Sequence, residues 1–396
     1  MSLLPVEEAL ERVLALVAPL PAETVPLREG AGRVMTMPVT AGLTQPPFSG
    51  SAMDGYWLDA ADHLPSAKLQ VVGESAAGRS YQGEITRGQA IRIFTGAPVP
   101  REGGVVVLQE NTTREGDWIT LADSLSGNDN IRPKGQDFAK GAPFHPARPL
   151  NARDLGLLAA MNVAQLEVHR KPVVAIIATG DELVMPGETP GPDQIISSNS
   201  FIVAAQVEAM GGIARMLPIA RDDRESLRMV FDLAKGADLI VTSGGASVGD
   251  HDLVGEVAAE LGLERSFWKI AMRPGKPLMA GRMGEAVLLG LPGNPVSATV
   301  CAELFLKPML AKMQGRDPQI TPRRAVLGCD LGPTGPRTHY MRACLSATDG
   351  LPMIMPFDNQ DSGILSILAQ ADALLICERD SGPHKQGTEM CYLPLM

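Results

Sequence analysis

The stretch Lys171-Pro172-Val173-Val174-Ala175-Ile176-Ile177-Ala178-Thr179-Gly180-Asp181-Glu182 decides the fold. Val173 to Thr179 run on without the polar alternation of a strand that is wet on one face, which predicts a parallel strand covered on both faces. Downstream the period changes to that of a helix, with Val203, Val207 and Met210 on one side, and a short strand follows near Met216. A second helix carries Leu227, Val230, Phe231 and Ala234, followed by a strand from Asp238 to Thr242. A third has Val254, Ala258 and Leu261, with strands around Phe267 to Ala271 and Ala286 to Leu291. A last long helix opens after Asn294-Pro295, proline standing in the first turn. Strand and helix alternate throughout, which predicts an open, doubly wound α/β domain over residues 171–315.

The flanks differ in texture. Val6, Leu10, Val13, Leu14 and Val17 recur at helical spacing with Glu7, Glu8, Glu11 and Arg12 between them, so the chain starts with an amphipathic helix. Residues 46–145 hold short β-like runs between turns, such as Ala90 to Phe94 and Val105 to Leu108, and read as a β-rich domain. Asn151 then looks like the cap of a helix carrying Leu155, Leu158 and Met161. If that helix packs back on the first, residues 1–45 and 146–170 make one interrupted linking domain. After the proline-rich connection from Asp317 to Pro322, residues 318–396 return to β texture and read as a small barrel-like domain.

Composition narrows the function. The chain has 396 residues, enough for two to four cores, and 45% hydrophobic against 20% charged residues is the balance of a folded protein. The net charge of −10, with no basic run, argues against nucleic acid, whose phosphates need clustered Lys and Arg. No segment is long and apolar enough to span a bilayer, and the first residues lack a signal peptide's charged start and cleavage site. Cys301, Cys329, Cys344, Cys377 and Cys391 form no Cys-x-x-Cys pair, which fits reduced thiols in the cytoplasm and speaks against zinc.

Ligands of open α/β sheets bind beyond the carboxyl ends of the strands. Three such ends are polar here: Thr179-Gly180-Asp181-Glu182, the loop from Ser243 to Asp252, and Gly290-Leu291-Pro292-Gly293-Asn294-Pro295. In the second, Ser243-Gly244-Gly245-Ala246-Ser247 offers backbone N–H groups and hydroxyls before a helix, which suits phosphate. Acidic residues beside a phosphate repel it unless Mg²⁺ lies between, which makes Glu182, Asp222, Asp250 and Asp252 ligand candidates. Taken singly, each reads better as a helix cap or a solvated turn residue than as a ligand. Arg273-Pro274-Gly275-Lys276-Pro277, just after Lys269, is a stiff turn that holds two cations close together and suits an oxyanion.

As an ordered set these motifs are more specific. Ser51-Ala52-Met53-Asp54-Gly55-Tyr56, Arg92 to Pro98, Gly135-Gln136-Asp137, Thr179 to Leu183, Ser243 to Gly249, Arg273 to Pro277 and Leu291 to Pro295 resemble the molybdopterin molybdenumtransferase family, which includes bacterial MoeA and the E domain of gephyrin. The resemblance extends to Glu378-Arg379-Asp380, essentially the whole chain. It implies a four-part subunit that takes adenylated molybdopterin and molybdate, forms the molybdenum cofactor and releases AMP with Mg²⁺ present. By motif it implies Asp54, Thr95, Asp137, Glu182 and Lys269 as catalytic positions and Glu182, Asp222 and Asp252 as metal ligands. Substrate positions are Ser243, Gly244, Gly245, Ser247, Arg273, Lys276, Pro292, Pro295, Arg342 and Ser362. Asp54 and Asp137 suit either the pterin's donor-rich edge or proton transfer. Relatives often carry Lys at Arg273 and Glu at Asp250. The resemblance further implies a homodimer, with transient contacts to the adenylyltransferase and to acceptor molybdoenzymes. The rival readings are a molybdopterin adenylyltransferase, which shares only the α/β domain, and a gephyrin-like scaffold without catalysis.

Overall fold

The computed structural model describes residues 3–244 and 253–395. The chain divides into two compact units, one formed by Met1–Glu23, Gly32–Val34 and His169–Met396, the other by Thr24–Ala31 and Met35–Val168. The first helix, α1 (Val6–Leu16), belongs to the former and buries Val6, Ala9 and Val13 in the core that also holds Val174 and Ile176. That is the apolar stripe expected from its spacing, with Glu7 and Glu8 in its first turn, where the positive end of the helix dipole favours them.

The unit around residues 35–168 is built on a six-stranded sheet of β1 (Gly55–Asp59), β2 (Lys68–Ser75), β3 (Gln89–Ile93), β4 (Gly104–Leu108), β5 (Thr112–Glu115) and β6 (Trp118–Leu121), in the order β4-β1-β3-β2-β6-β5. Its core lies on both faces, Tyr56, Leu58 and Val107 on one and Trp57, Ile91 and Val106 on the other. Helix α2 (Ala152–Ala160) starts at Asn151, whose side chain accepts from the N–H groups of Arg153 and Asp154 while Asp154 accepts from Asn151 N–H. Leu158 packs with Val25, Met35, Leu166 and Val168. α1 and α2 are buried in different cores.

That sheet comprises β7 (Val173–Ala178), β8 (Ile213–Met216), β9 (Leu239–Ser243), β10 (Leu263–Trp268), β12 (Met279–Met283) and β13 (Ala286–Leu291), in the order β8-β7-β9-β13-β12-β10. Successive residues of β7 feed opposite cores: Val174 and Ile176 pack with α3 (Asn199–Ala209), and Ala175 and Ile177 with α4 (Arg224–Leu233) and α5 (Leu253–Glu260). This is why the strand is apolar at every position. β8, β7, β9 and β13 are parallel, whereas β10 and β12 are antiparallel to their neighbours. The β12–β13 link, Gly284-Glu285, is too short for a crossover helix, so it makes a hairpin in which Gly284 takes a φ of 62°. The strand expected over 267–271 ends at Trp268, and Met272–Arg273 forms a separate short strand, β11.

The last long helix is interrupted. α6 (Pro295–Cys301) continues into a π turn (Ala302–Leu306) and then α7 (Lys307–Met313). Pro308 lacks an N–H and its ring crowds the carbonyl four residues earlier, which accounts for the wider turn. The chain ends in β14 (Arg323–Leu327), β15 (Thr338–Ser346), β16 (Met353–Pro356), α8 (Leu365–Leu368), β17 (Ala373–Cys377) and β18 (Glu389–Pro394). Pairing runs β15-β16-β14-β18-β17 and back to β15, closing a five-stranded barrel around Ala325, Leu327, Ala343, Ile354 and Leu375. β11 joins it in parallel alongside β15.

Candidate active site

A cavity of about 1040 Å³ lies at the carboxyl ends of β7, β9 and β13, where the switch from strand to loop exposes backbone and polar side chains. Its lining brings together Glu182, Asp222, Gly244, Arg273, Lys276, Pro292 and Ser362 from the sequence-derived set, with Thr179, Asn294 and Arg337 beside them. Two glycines hold the strand ends close. Gly244 has a φ of 99°, and a Cβ there would sit 2.5 Å from the Thr179 carbonyl oxygen. Gly180, with a φ of 146°, lets the Glu182 carboxylate fold against its backbone. A side chain at either position would be strained in its backbone; at Gly244 it would also meet the fixed Thr179 carbonyl, and at Gly180 it would displace the Glu182 carboxylate.

Hydrogen bonds fix the loops between these ends. Arg221 donates to the carbonyls of Asp181 (3.1 Å) and Leu183 (3.2 Å), and Asp222 N–H donates to the Asp181 carboxylate (3.2 Å). Asn199 donates to Ser243 Oγ (2.7 Å) and to the Gly293 carbonyl (2.6 Å), and Asn294 donates to Ser362 Oγ (2.8 Å). The cations are different. Arg273, Lys276 and Arg337 have no ion-pair or hydrogen-bond partner for their side chains among the described residues. Thr179 Oγ1 is buried without a hydrogen-bond partner. A buried hydroxyl with no partner among the described residues is costly to a protein that binds nothing there.

Other expected residues lie elsewhere. Arg342 is 1% exposed and does not line the cavity; its guanidinium donates to the carbonyls of Ile364 (3.0 Å), Asn359 (3.2 Å) and Asp361 (2.9 Å). These bonds tie Arg342 to the loop that carries Ser362. Gln360 braces the same loop, donating to the carbonyls of Arg342 (3.0 Å) and Phe357 (2.7 Å). Lys269 sits over the Trp268 ring, 3.8 Å from its centroid, and is not part of the lining. Ser243 is buried against Asn199, and Pro295 serves as the first residue of α6. Gly245, Ser247, Asp250 and Asp252 lie outside the described residues.

In the other unit, Asp54 Oδ1 accepts from Thr95 N–H (2.7 Å) and Thr95 Oγ (2.9 Å). The backbone bond, then the hydroxyl bond, hold this carboxyl below the ordinary range. Asp137 lines a hollow of about 530 Å³ with Ser51, Gly96, Arg132 and Gln136. Arg337 and Asn294 were missed as functional residues in the sequence: Arg337 stands alone before β15 in no motif, and Asn294 reads as a helix cap. Among the described residues no group of three or more His, Cys, Asp or Glu side chains is placed to hold a metal.

Comparison with known proteins agrees with this architecture. Residues 4–162 match the MoeA N-terminal region (domain I and II), 175–312 a "Probable molybdopterin binding domain", and 324–395 the MoeA C-terminal region (domain IV). The molybdopterin molybdenumtransferase of Haemophilus influenzae is 32% identical over 95% of each chain, and that of Nostoc is 35% identical over 94% of this chain and 88% of its own. The chain belongs to the molybdopterin molybdenumtransferase family. Two structures of the molybdopterin biosynthesis moeA protein from Pyrococcus horikoshii, 28% identical, superpose with TM-scores of 0.85 and 0.81 over 99% and 100% of both chains. The multidomain fold, closed barrel included, is thus that of the family. Among the described residues no helix is long and apolar enough to cross a membrane.

Proposed function

We propose that the chain inserts molybdenum from molybdate into adenylated molybdopterin and releases AMP. The observation that carries this is the shared lining of one cavity: the cations Arg273, Lys276 and Arg337, without side-chain partners among the described residues, beside the carboxylates Glu182 and Asp222. Molybdate is a dianion, so Arg273 and Lys276 would grip it by charge-assisted hydrogen bonds, with the Ser362 hydroxyl turned toward it. Their turn is braced between prolines, so the donors stand in place before the anion arrives and need little reorganisation. A phosphate oxygen here would give the Thr179 hydroxyl the partner it lacks among the described residues.

Magnesium fits the same site. It takes one or two carboxylates and completes its shell with water and phosphate oxygens, and Glu182 and Asp222 supply the carboxylates, with Asp252 joining them by resemblance. When bound, it neutralises charge on the phosphates as the adenylyl group leaves. Asp54, Thr95 and Asp137 enter through a two-fold dimer in which a second copy brings its β-rich unit to the cleft, so that each dimer has two equivalent sites. The reaction belongs in the cytoplasm, where the adenylyltransferase supplies the substrate and acceptor enzymes take the product.

Purified chain given adenylated molybdopterin, Mg²⁺ and molybdate tests the reading, with AMP as the measured product. Release that requires both molybdate and Mg²⁺ is expected. Release indifferent to molybdate, or none, overturns it.

A further inference from the structure

A second cavity, of about 240 Å³, shares Arg273 and Arg337 with the larger one and is otherwise lined by the loop from Leu331 to Pro336 and by His339, Met341 and Cys377. Strand register builds it. β11 sets Arg273 opposite His339 on β15, and β15 sets His339 opposite Cys377 on β17. Residues paired across neighbouring strands stand on the same face, so a guanidinium, an imidazole and a thiol form one row. Thr334 closes the end, its hydroxyl bonded to Ser381 Oγ at 3.0 Å.

The lining contains no carboxylate. Burial first, then the charges of Arg273, Arg337 and Arg342, push the His339 pKa down to about 4, so the ring is neutral at pH 7 and offers an N–H donor. Cys377 faces it from β17 as an uncharged thiol, its pKa pushed up to about 11 by burial and by Glu378. Two guanidiniums without partners among the described residues and a neutral imidazole, with no acid in the lining, repel cations and favour an anion. The volume is small for a pterin nucleotide and ample for one tetrahedral oxyanion with water, at about 30 Å³ per water.

We propose that this cavity is a second oxyanion site, which binds one free tetrahedral dianion of the molybdate and sulfate class on Arg273, Arg337 and His339, independently of the pterin nucleotide. It rests on the molybdate-dependent reading above and deepens it, because an anion held here lies against the two guanidiniums that also face the reaction cavity. A dianion beside His339 favours the imidazolium, so occupancy raises the pKa of that ring.

The test is equilibrium dialysis of molybdate at neutral pH against the full-length protein without nucleotide. His339→Phe, which fills only the small cavity and removes its donor, should bind one molybdate fewer per subunit than the unaltered chain. In AMP release it should need about tenfold more molybdate, with kcat and the KM for adenylated molybdopterin unchanged. Lys276→Ala, which touches only the large cavity, should keep the anion at the small one. In the unaltered protein the His339 NMR signals should titrate near pH 4 without sulfate and clearly higher with it. If His339→Phe binds molybdate as the unaltered chain does, or if sulfate leaves the His339 titration where it was, the second site does not exist. Wild-type AMP release that ignores molybdate sinks the functional reading instead, whatever the dialysis shows.

Discussion

The polar groups of the 1040 Å³ cavity and those around Asp54 are treated in opposite ways. Asp54 is satisfied from within, its Oδ1 receiving both the N–H and the hydroxyl of Thr95. In the cavity, Arg273, Lys276 and Arg337 have no such partner among the described residues, and the Thr179 hydroxyl is orphaned. The barrel repeats the contrast within one residue type. Arg342 has its guanidinium committed to three carbonyls, whereas Arg273 has its own free. A committed polar group fixes shape; an uncommitted one at a cavity has its partner supplied by the ligand.

The largest effect should come from the uncommitted side. Asp222→Ala is expected to slow AMP release by roughly a hundredfold or more, the scale of losing one preorganised electrostatic element. Near-normal turnover would remove Asp222 from the chemistry and weaken the contrast. Arg342→Leu should behave as a shape mutation, leaving three carbonyls unpaired and costing about 3 kcal/mol in urea unfolding. Lys276→Ala should do the reverse, leaving unfolding within about 0.5 kcal/mol of the unaltered chain while raising the molybdate needed for half-maximal rate about tenfold. A large stability loss in Lys276→Ala, or none in Arg342→Leu, breaks the comparison.

A fourfold effect separates shared from separate sites. Co-expressed Asp54→Ala and Asp222→Ala chains, each inactive alone, should recover roughly a quarter of wild-type activity, because half the dimers are mixed and each mixed dimer has one intact site. No recovery from proven mixed dimers rules out a cleft completed by a second copy. The smallest effect is at Asp54 itself. Thr95→Val keeps the backbone bond and removes the hydroxyl bond, so the carboxyl should titrate closer to its ordinary value of 3.8 by NMR. The sign follows from linkage: a lowered folded pKa stabilises above the unfolded value of about 3.9 and is lost as the pH falls through the folded one. Thr95→Val should therefore lose less stability over that acid window than the unaltered chain.

The α/β domain was legible because a strand buried on both faces must be apolar throughout, and Val173 to Ala178 is. The antiparallel edge was not, since β10 and β12 differ from parallel strands only in the brevity of their connections, which tertiary pairing decides. The order of motifs exposed Glu182, Arg273 and Lys276 because each lies within two residues of a glycine or proline that marks a strand end or a stiff turn, whereas Asp222 came from its acidic character and the family resemblance. Arg342 carried the same charge and a motif position, but its burial depends on a loop twenty residues later in the chain. Arg337 follows Gly335-Pro336 yet belongs to no quoted motif, because what brings it to the cavity is the barrel.

β11 sets a limit on how this protein can be dissected. The strand emerges from the α/β sheet, yet its two residues pair with Thr338 and His339 of the barrel, and the anion-gripping turn begins at its second residue. A fragment cut after Gln314 would retain every helix of the α/β domain and still leave Arg273 without the neighbour that sets its direction. The α/β domain is therefore not a transplantable module: any chimera that keeps the turn from Arg273 to Pro277 has to bring its own barrel with it.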